Sequence, residues 1–138
     1  MTLSNEERRA LVTYRIQRAH ETWEETKKII EDNLWYAAAK RMYYSCFYMT
    51  TALLISYGLT ASTHAGVIRM LGMHFVLTNI ISKDLNRFYV QLFEMRQRGD
   101  YDDYIQINSS DVLPLVEQAE LFLSTLEALI QNKMKDFR

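Results

Sequence analysis

A chain of 138 residues, 49% hydrophobic and 24% charged, is long enough for one globular domain, too short for two ordinary ones, and too apolar to be disordered. One Cys excludes a disulfide framework and a Cys-rich zinc site. A formal charge of −1 excludes a globally basic nucleic-acid binder, though not a local basic patch. Four Gly and one Pro are too few for the many turns of a sandwich or barrel. The longest apolar run, Met42 to Tyr57, is broken by Ser45, Thr50, Thr51 and Ser56, too short and too polar to span a bilayer. Glu6, Glu7, Arg8 and Arg9 stand where a signal peptide needs an apolar core. The expectation is a cytoplasmic protein of one domain over residues 1–138, with no membrane contact.

The first helix is predicted from Asn5 to Asp32, with Ser4 and Glu7 as its capping box. Val12, Ile16, Ala19, Trp23, Thr26 and Ile30 recur every three or four residues and form one stripe. The other faces carry 7 acids and 6 bases, a solvated surface. The second helix is predicted from Leu34 to Tyr57, stopped by Gly58. Met42 to Ile55 is apolar on nearly all sides, which marks the central, buried helix.

Ser62 or Thr63 caps a shorter third helix through Val76, weakened by Gly66 and Gly72. Ser82 caps a fourth, Lys83 to Arg98, which Gly99 is expected to end. Phe75 to Ile81 resembles a short strand but has no partner. A polar, acidic loop is predicted over Asp100 to Asn108. The last helix runs from Ser110 to Lys133, with Pro114 in its first turn, where a missing amide donor matters little. The reading is all-α: an up-and-down bundle of four long helices and one short one.

Charge is unevenly spread. Residues 33–99 carry seven bases against two acids, and residues 100–138 three bases against eight acids. The basic middle is either a site for phosphates or one half of a pairing within the fold.

Three stretches go beyond a generic helical chain: Ala38-Ala39-Lys40-Arg41-Met42-Tyr43-Tyr44-Ser45-Cys46-Phe47, Thr63-His64-Ala65-Gly66-Val67-Ile68, and Leu92-Phe93-Glu94-Met95-Arg96-Gln97-Arg98-Gly99-Asp100-Tyr101. In order and spacing they resemble the HEPN family, named for higher eukaryotes and prokaryotes nucleotide-binding. The resemblance is strongest to its small stand-alone prokaryotic branch. There, a helix carries Arg-x-Tyr-Tyr-Ala, a His-x-Gly-Val turn follows, and a later helix ends in Arg-x-x-x-Asp-Tyr; Ser45 here replaces the Ala. The resemblance covers Trp35 to Tyr104. It implies the bundle fold, of the nucleotidyltransferase substrate-binding-subunit type, and a homodimer. It also implies a nucleotidyltransferase-type partner in a toxin–antitoxin-like pair. Active toxins of the superfamily are metal-independent ribonucleases. Their motif is an Arg followed four to six residues later by a His, the Arg holding phosphate charge and the His moving protons.

This sequence departs from that motif, because no His occurs between Met95 and Arg138. The leading expectation is therefore a protein that binds RNA, a nucleotide or a partner without the Arg…His ribonuclease site. Its phosphate-binding candidates are Arg41, Arg69, Arg96 and Arg98. The alternatives are a ribonuclease with Arg96 or Arg98 acting beside Asp103 or Tyr104, and a purely structural interaction module. Arg41, on the buried helix, needs a counter-charge, and Asp100 is the candidate for an ion pair locking the second helix to the fourth. Arg96 and Arg98 also suit a helix C-terminus, where the dipole favours cations. Tyr101 and Tyr104 are candidates for modification by a partner enzyme, Tyr104 being the nearest counterpart of a Tyr so modified in related toxins. Against that, Tyr101 reads as a packed core-edge ring and Tyr104 as an exposed one. His64 reads as a cap or a local hydrogen-bond partner. With His20 and His74 far away in sequence, no metal site is expected, nor any cofactor. Cys46 reads as a core residue.

Overall fold

The computed structural model describes residues 3–101 and 105–137. Helix α1 spans Asn5–Glu31 and starts at the expected capping box: Ser4 Oγ accepts from the Glu7 amide at 3.0 Å, and the Ser4 amide donates back to Glu7 at 3.3 Å. Its buried stripe is Val12, Ile16, Ala19, Trp23 and Thr26, with Thr22 beside them. Asn33, in the left-handed region at φ 59°, turns the chain into α2, Trp35–Ser56. Asn tolerates that conformation better than most residues with a Cβ.

Helix α2 is the axis of the bundle. It touches every other α-helix, namely α1, α3 (His64–Leu71), α4 (Lys83–Tyr101), α5 (Ser109–Val112) and α6 (Val116–Met134). Twelve of its 22 residues are buried, which explains an apolar run without a polar face. Ala38, Ala39, Ser45 and Cys46 on it are buried and small, so neighbouring helices approach closely. A ladder of rings ties three helices together: Tyr43 of α2 stacks on Tyr89 of α4 at 5.9 Å, and Tyr89 on Phe122 of α6 at 5.2 Å.

Thr63 caps α3, its hydroxyl accepting from the Gly66 amide at 2.9 Å. The chain then widens into one π-helical turn, Gly72–Val76, so the predicted third helix reaches its expected end with a change of pitch. The stretch that resembled a strand is this turn and the bends after it, with Phe75 and Ile81 buried. After α4, Pro114 lies in a short 3-10 step, Leu113–Leu115, between α5 and α6. The backbone stays helical at Leu113 and Val116, so α5, the step and α6 form the last long helix. The architecture is an all-α, up-and-down bundle of four long helices with the short α3 at one side.

Gly99 corrects the sequence reading. It does not end α4, which continues through Asp100 to Tyr101. A methyl group at Gly99 would overlap the Tyr36 ring. The residue is glycine because α2 lays an aromatic ring on the backbone of α4 at that point.

Candidate functional site

The Arg-x-Tyr-Tyr stretch places Tyr43, Tyr44 and Phe47 within two turns of α2. His64 opens α3, and Phe93 and Arg96 lie one turn apart on α4. The fold brings all six together. The Tyr43 hydroxyl is 2.6 Å from His64 Nδ1. The His64 ring stacks on Phe47 at 4.5 Å and meets Tyr44 edge-on at 6.0 Å. Arg96 Nη1 donates to the Tyr44 hydroxyl at 2.8 Å, and its guanidinium carbon lies 5.1 Å from the Tyr43 ring centre and 6.0 Å from that of Phe93. Arg96 Nε is buried, with no hydrogen-bond partner among the described residues.

Electrostatics keep this cluster neutral apart from the guanidinium. Burial, and then the Arg96 charge, lower the His64 pKa below 6.5, so its imidazole is uncharged at neutral pH. Burial raises the Tyr43 phenol well above its ordinary value, so it keeps its proton. With the ring proton on Nε2, Tyr43 donates to the bare Nδ1 and Nε2–H is free to donate outward; with the ring proton on Nδ1, the imidazole donates to the Tyr43 oxygen and Nε2 is an acceptor. The Tyr44 oxygen accepts from Arg96, which leaves the hydroxyl hydrogen of Tyr44 to point at another acceptor. With Nε2 protonated, the cluster offers one cation and two neutral donors on an aromatic floor, a set suited to a phosphate oxygen pair.

The other predicted residues lie elsewhere. Arg41 does not pair with Asp100: its Nη2 donates to Glu25 of α1 at 2.8 Å, and its side chain is half-buried. Residues 25 and 41 face each other because α1 and α2 run side by side through a tight turn. Asp100 instead accepts from the Tyr36 hydroxyl, with Lys40 at 3.4 Å. The lock between α2 and α4 therefore exists with different α2 partners, both of which precede Arg41 in the chain. Arg69 and Arg98 are exposed and make no ion pair among the described residues, while Arg87 pairs with Asp84 at 3.3 Å. Tyr101 is 81% exposed and is not the packed ring expected. Asp103 and Tyr104 lie outside the described residues. Among the described residues no three His, Cys, Asp or Glu side chains converge as metal ligands, and His20 pairs with Glu127 at 2.6 Å.

Sequence reasoning missed the meeting of His64 with Arg96. Their separation matches no motif spacing, and only the packing of α3 and α4 on the same α2 rings joins them. The one available signal was the co-occurrence of the Tyr-Tyr, His-x-Gly and Arg stretches.

Residues 12–129 match the HEPN domain family, and the chain belongs to it. A UPF0332 protein of Thermotoga maritima is 33% identical over 126 residues, 91% of this chain and 96% of that one. Two proteins of Methanocaldococcus jannaschii named "Putative toxin MJ0142" and "Putative toxin MJ0605" are each 27% identical, the first covering 86% of this chain and 80% of its own length, the second 94% and 96%. The crystal structure of TT1696 from Thermus thermophilus shares the fold, with a TM-score of 0.73 at 12% identity over 86% of this chain and 97% of that one. Among the described residues no helix is long and apolar enough to cross a membrane.

Proposed function

We propose that this HEPN protein binds RNA or a nucleotide through phosphate contacts at Arg96, assisted by His64 and Tyr44, as a cytoplasmic homodimer within a nucleotidyltransferase-associated, toxin–antitoxin-like pair. The observation that carries the binding role is the Arg96–Tyr44–Tyr43–His64 cluster, a guanidinium beside neutral donors and aromatic rings. Arg41, with its charge met by Glu25, contributes less. Arg69 and Arg98 act as peripheral, salt-sensitive contacts. The relatives whose names carry the word toxin support the toxin-like part of this reading. A thermal-shift titration with an RNA oligonucleotide and with single nucleotides tests it. Stabilisation of wild type that Arg96→Ala abolishes supports the role, and no response to any of them refutes it.

The second reading, a metal-independent ribonuclease toxin, gains from the position of His64. The imidazole absent after Arg96 in sequence packs on the same Tyr43 and Tyr44 rings as Arg96, near enough for the guanidinium charge to lower its pKa. In that reading His64, in the tautomer whose Nδ1–H donates to the Tyr43 oxygen, takes the 2′-hydroxyl proton on its bare Nε2. The 2′-oxygen bonds to phosphorus, and the bond to the 5′-oxygen breaks. The leaving oxygen is protonated by water, and the hydroxide formed recovers the proton from the imidazolium. RNA cleavage in EDTA, lost in both His64→Gln and Arg96→Ala, selects this reading; intact RNA bound by wild type removes it.

A further inference from the structure

A cleft of about 420 Å³ opens between α1, α2 and the segment leading into α3, within the size range of sites for small organic ligands. Leu11, Leu54, Ile55, Leu59 and Val67 supply apolar walls. One cation borders them. Arg15 of α1 donates from Nη1 to Thr51 Oγ1 at 3.1 Å and makes no ion pair among the described residues. The Thr51 hydroxyl in turn donates to the Tyr48 carbonyl at 2.8 Å, so its oxygen is fixed and holds the guanidinium at the cleft. Phe47 forms another wall, and the same ring stacks on His64 at 4.5 Å.

We propose that this cleft binds a small monocarboxylate with a compact aliphatic or aryl body. The carboxylate sits on the remaining N–H donors of Arg15, and the apolar body lies against Leu11, Leu54, Ile55 and Val67. A guanidinium bonded to one neutral hydroxyl and bordering an apolar cleft lacks its natural complement, a planar two-oxygen anion. One cation matches one anionic group. A polyphosphate would leave charges against leucine and isoleucine walls without partners. Apolar burial then supplies the rest of the affinity. This site is separate from the phosphate-binding cluster and does not depend on that reading. Phe47 gives the two a shared wall.

The test is calorimetric titration of the full chain with sodium octanoate, and with octylammonium as the charge-reversed probe. Arg15→Met keeps the apolar stem and removes the charge. Thr51→Glu supplies an internal carboxylate to occupy Arg15. Both positions are only partly buried, and circular dichroism with a thermal melt checks that each variant folds. The expected result is saturable octanoate binding, one per chain, at least about tenfold weaker in both variants, with no octylammonium binding. Equal binding of the two probes, binding unchanged in Arg15→Met, or no saturable octanoate binding to folded protein each overturns the proposal. So does a dimer that excludes octanoate and dissociates in Arg15→Met, because a second copy would then be what covers the cleft.

Discussion

The Tyr43 hydroxyl lies 2.6 Å from His64 Nδ1, which fixes the start of α3 against the α2 rings that Arg96 of α4 also covers. Burial and the guanidinium both lower the His64 pKa. Below pH 6.5 the unfolded chain therefore binds a proton that the folded chain resists. The stability held by neutral His64 is full above 6.5 and is lost as pH falls through the lowered folded value. An NMR titration is expected to place His64 below 6.5 in wild type and closer to 6.5 in Arg96→Ala. Denaturation at several pH values is expected to show wild type losing more stability than His64→Gln on the acid side of 6.5. A His64 that titrates at or above 6.5 contradicts the electrostatic account.

Gly99 and Tyr36 make a second test. At an ordinary helix-interior position, Gly→Ala gains roughly 0.5–1 kcal/mol. Here the added methyl overlaps the Tyr36 ring and displaces its hydroxyl from Asp100. Gly99→Ala is expected to lower stability by about 1 kcal/mol. In a Tyr36→Ala background the same change is expected to become neutral or stabilising. Urea denaturation of the four proteins of this cycle measures both effects.

Asp100 accepts from Tyr36 and faces Lys40, and these contacts hold its carboxyl below the ordinary value of 3.8. Its contribution is complete above 3.8 and is lost as pH falls through the lowered value. Asp100→Asn should therefore destabilise at neutral pH and converge with wild type in strong acid. Arg41→Ala should cost no more than about 0.5 kcal/mol, because its Glu25 partner is half-exposed and solvent screens the pair. The two substitutions should add, since the residues share no bond. Coupling between them in a double-mutant denaturation series would contradict the pairing described.

Cys46 is fully buried on α2, and burial pushes its thiol up to about 12. A low thiolate fraction and no access make it inert. A thiol reagent is expected to label it only after denaturation. Labelling of the native protein at a rate independent of unfolding would contradict its core position.

Much of the fold was legible in the sequence because local signals and burial agree. The Ser4–Glu7 box, the Val12-to-Thr26 stripe, the all-round apolar stretch of α2 and the Thr63 and Ser82 caps each state one helix end or one face. What misled was chemistry with two possible causes. Gly99 reads as a stop, but its lack of a side chain serves Tyr36. Arg41 needed a counter-charge, and the sequence offered Asp100 where the packing of α1 on α2 offers Glu25. The candidate site was half legible: Arg96, Tyr43 and Tyr44 stand in recognisable stretches. His64 read as a cap or a local hydrogen-bond partner, and its place on the α2 rings that Arg96 of α4 also covers was not legible, because those partners arrive through tertiary packing.

The most direct test of the central claim is fluorescence anisotropy of a labelled single-stranded RNA, titrated at two salt concentrations with wild type, Arg96→Ala and Arg41→Ala. Loss of a charge-assisted phosphate contact is worth about 1.5–3 kcal/mol, so the account predicts Arg96→Ala about ten- to a hundredfold weaker. It also predicts a shallower salt dependence for that variant, with Arg41→Ala within about twofold of wild type. Equal affinity of wild type and Arg96→Ala would contradict it and remove the cluster from RNA binding.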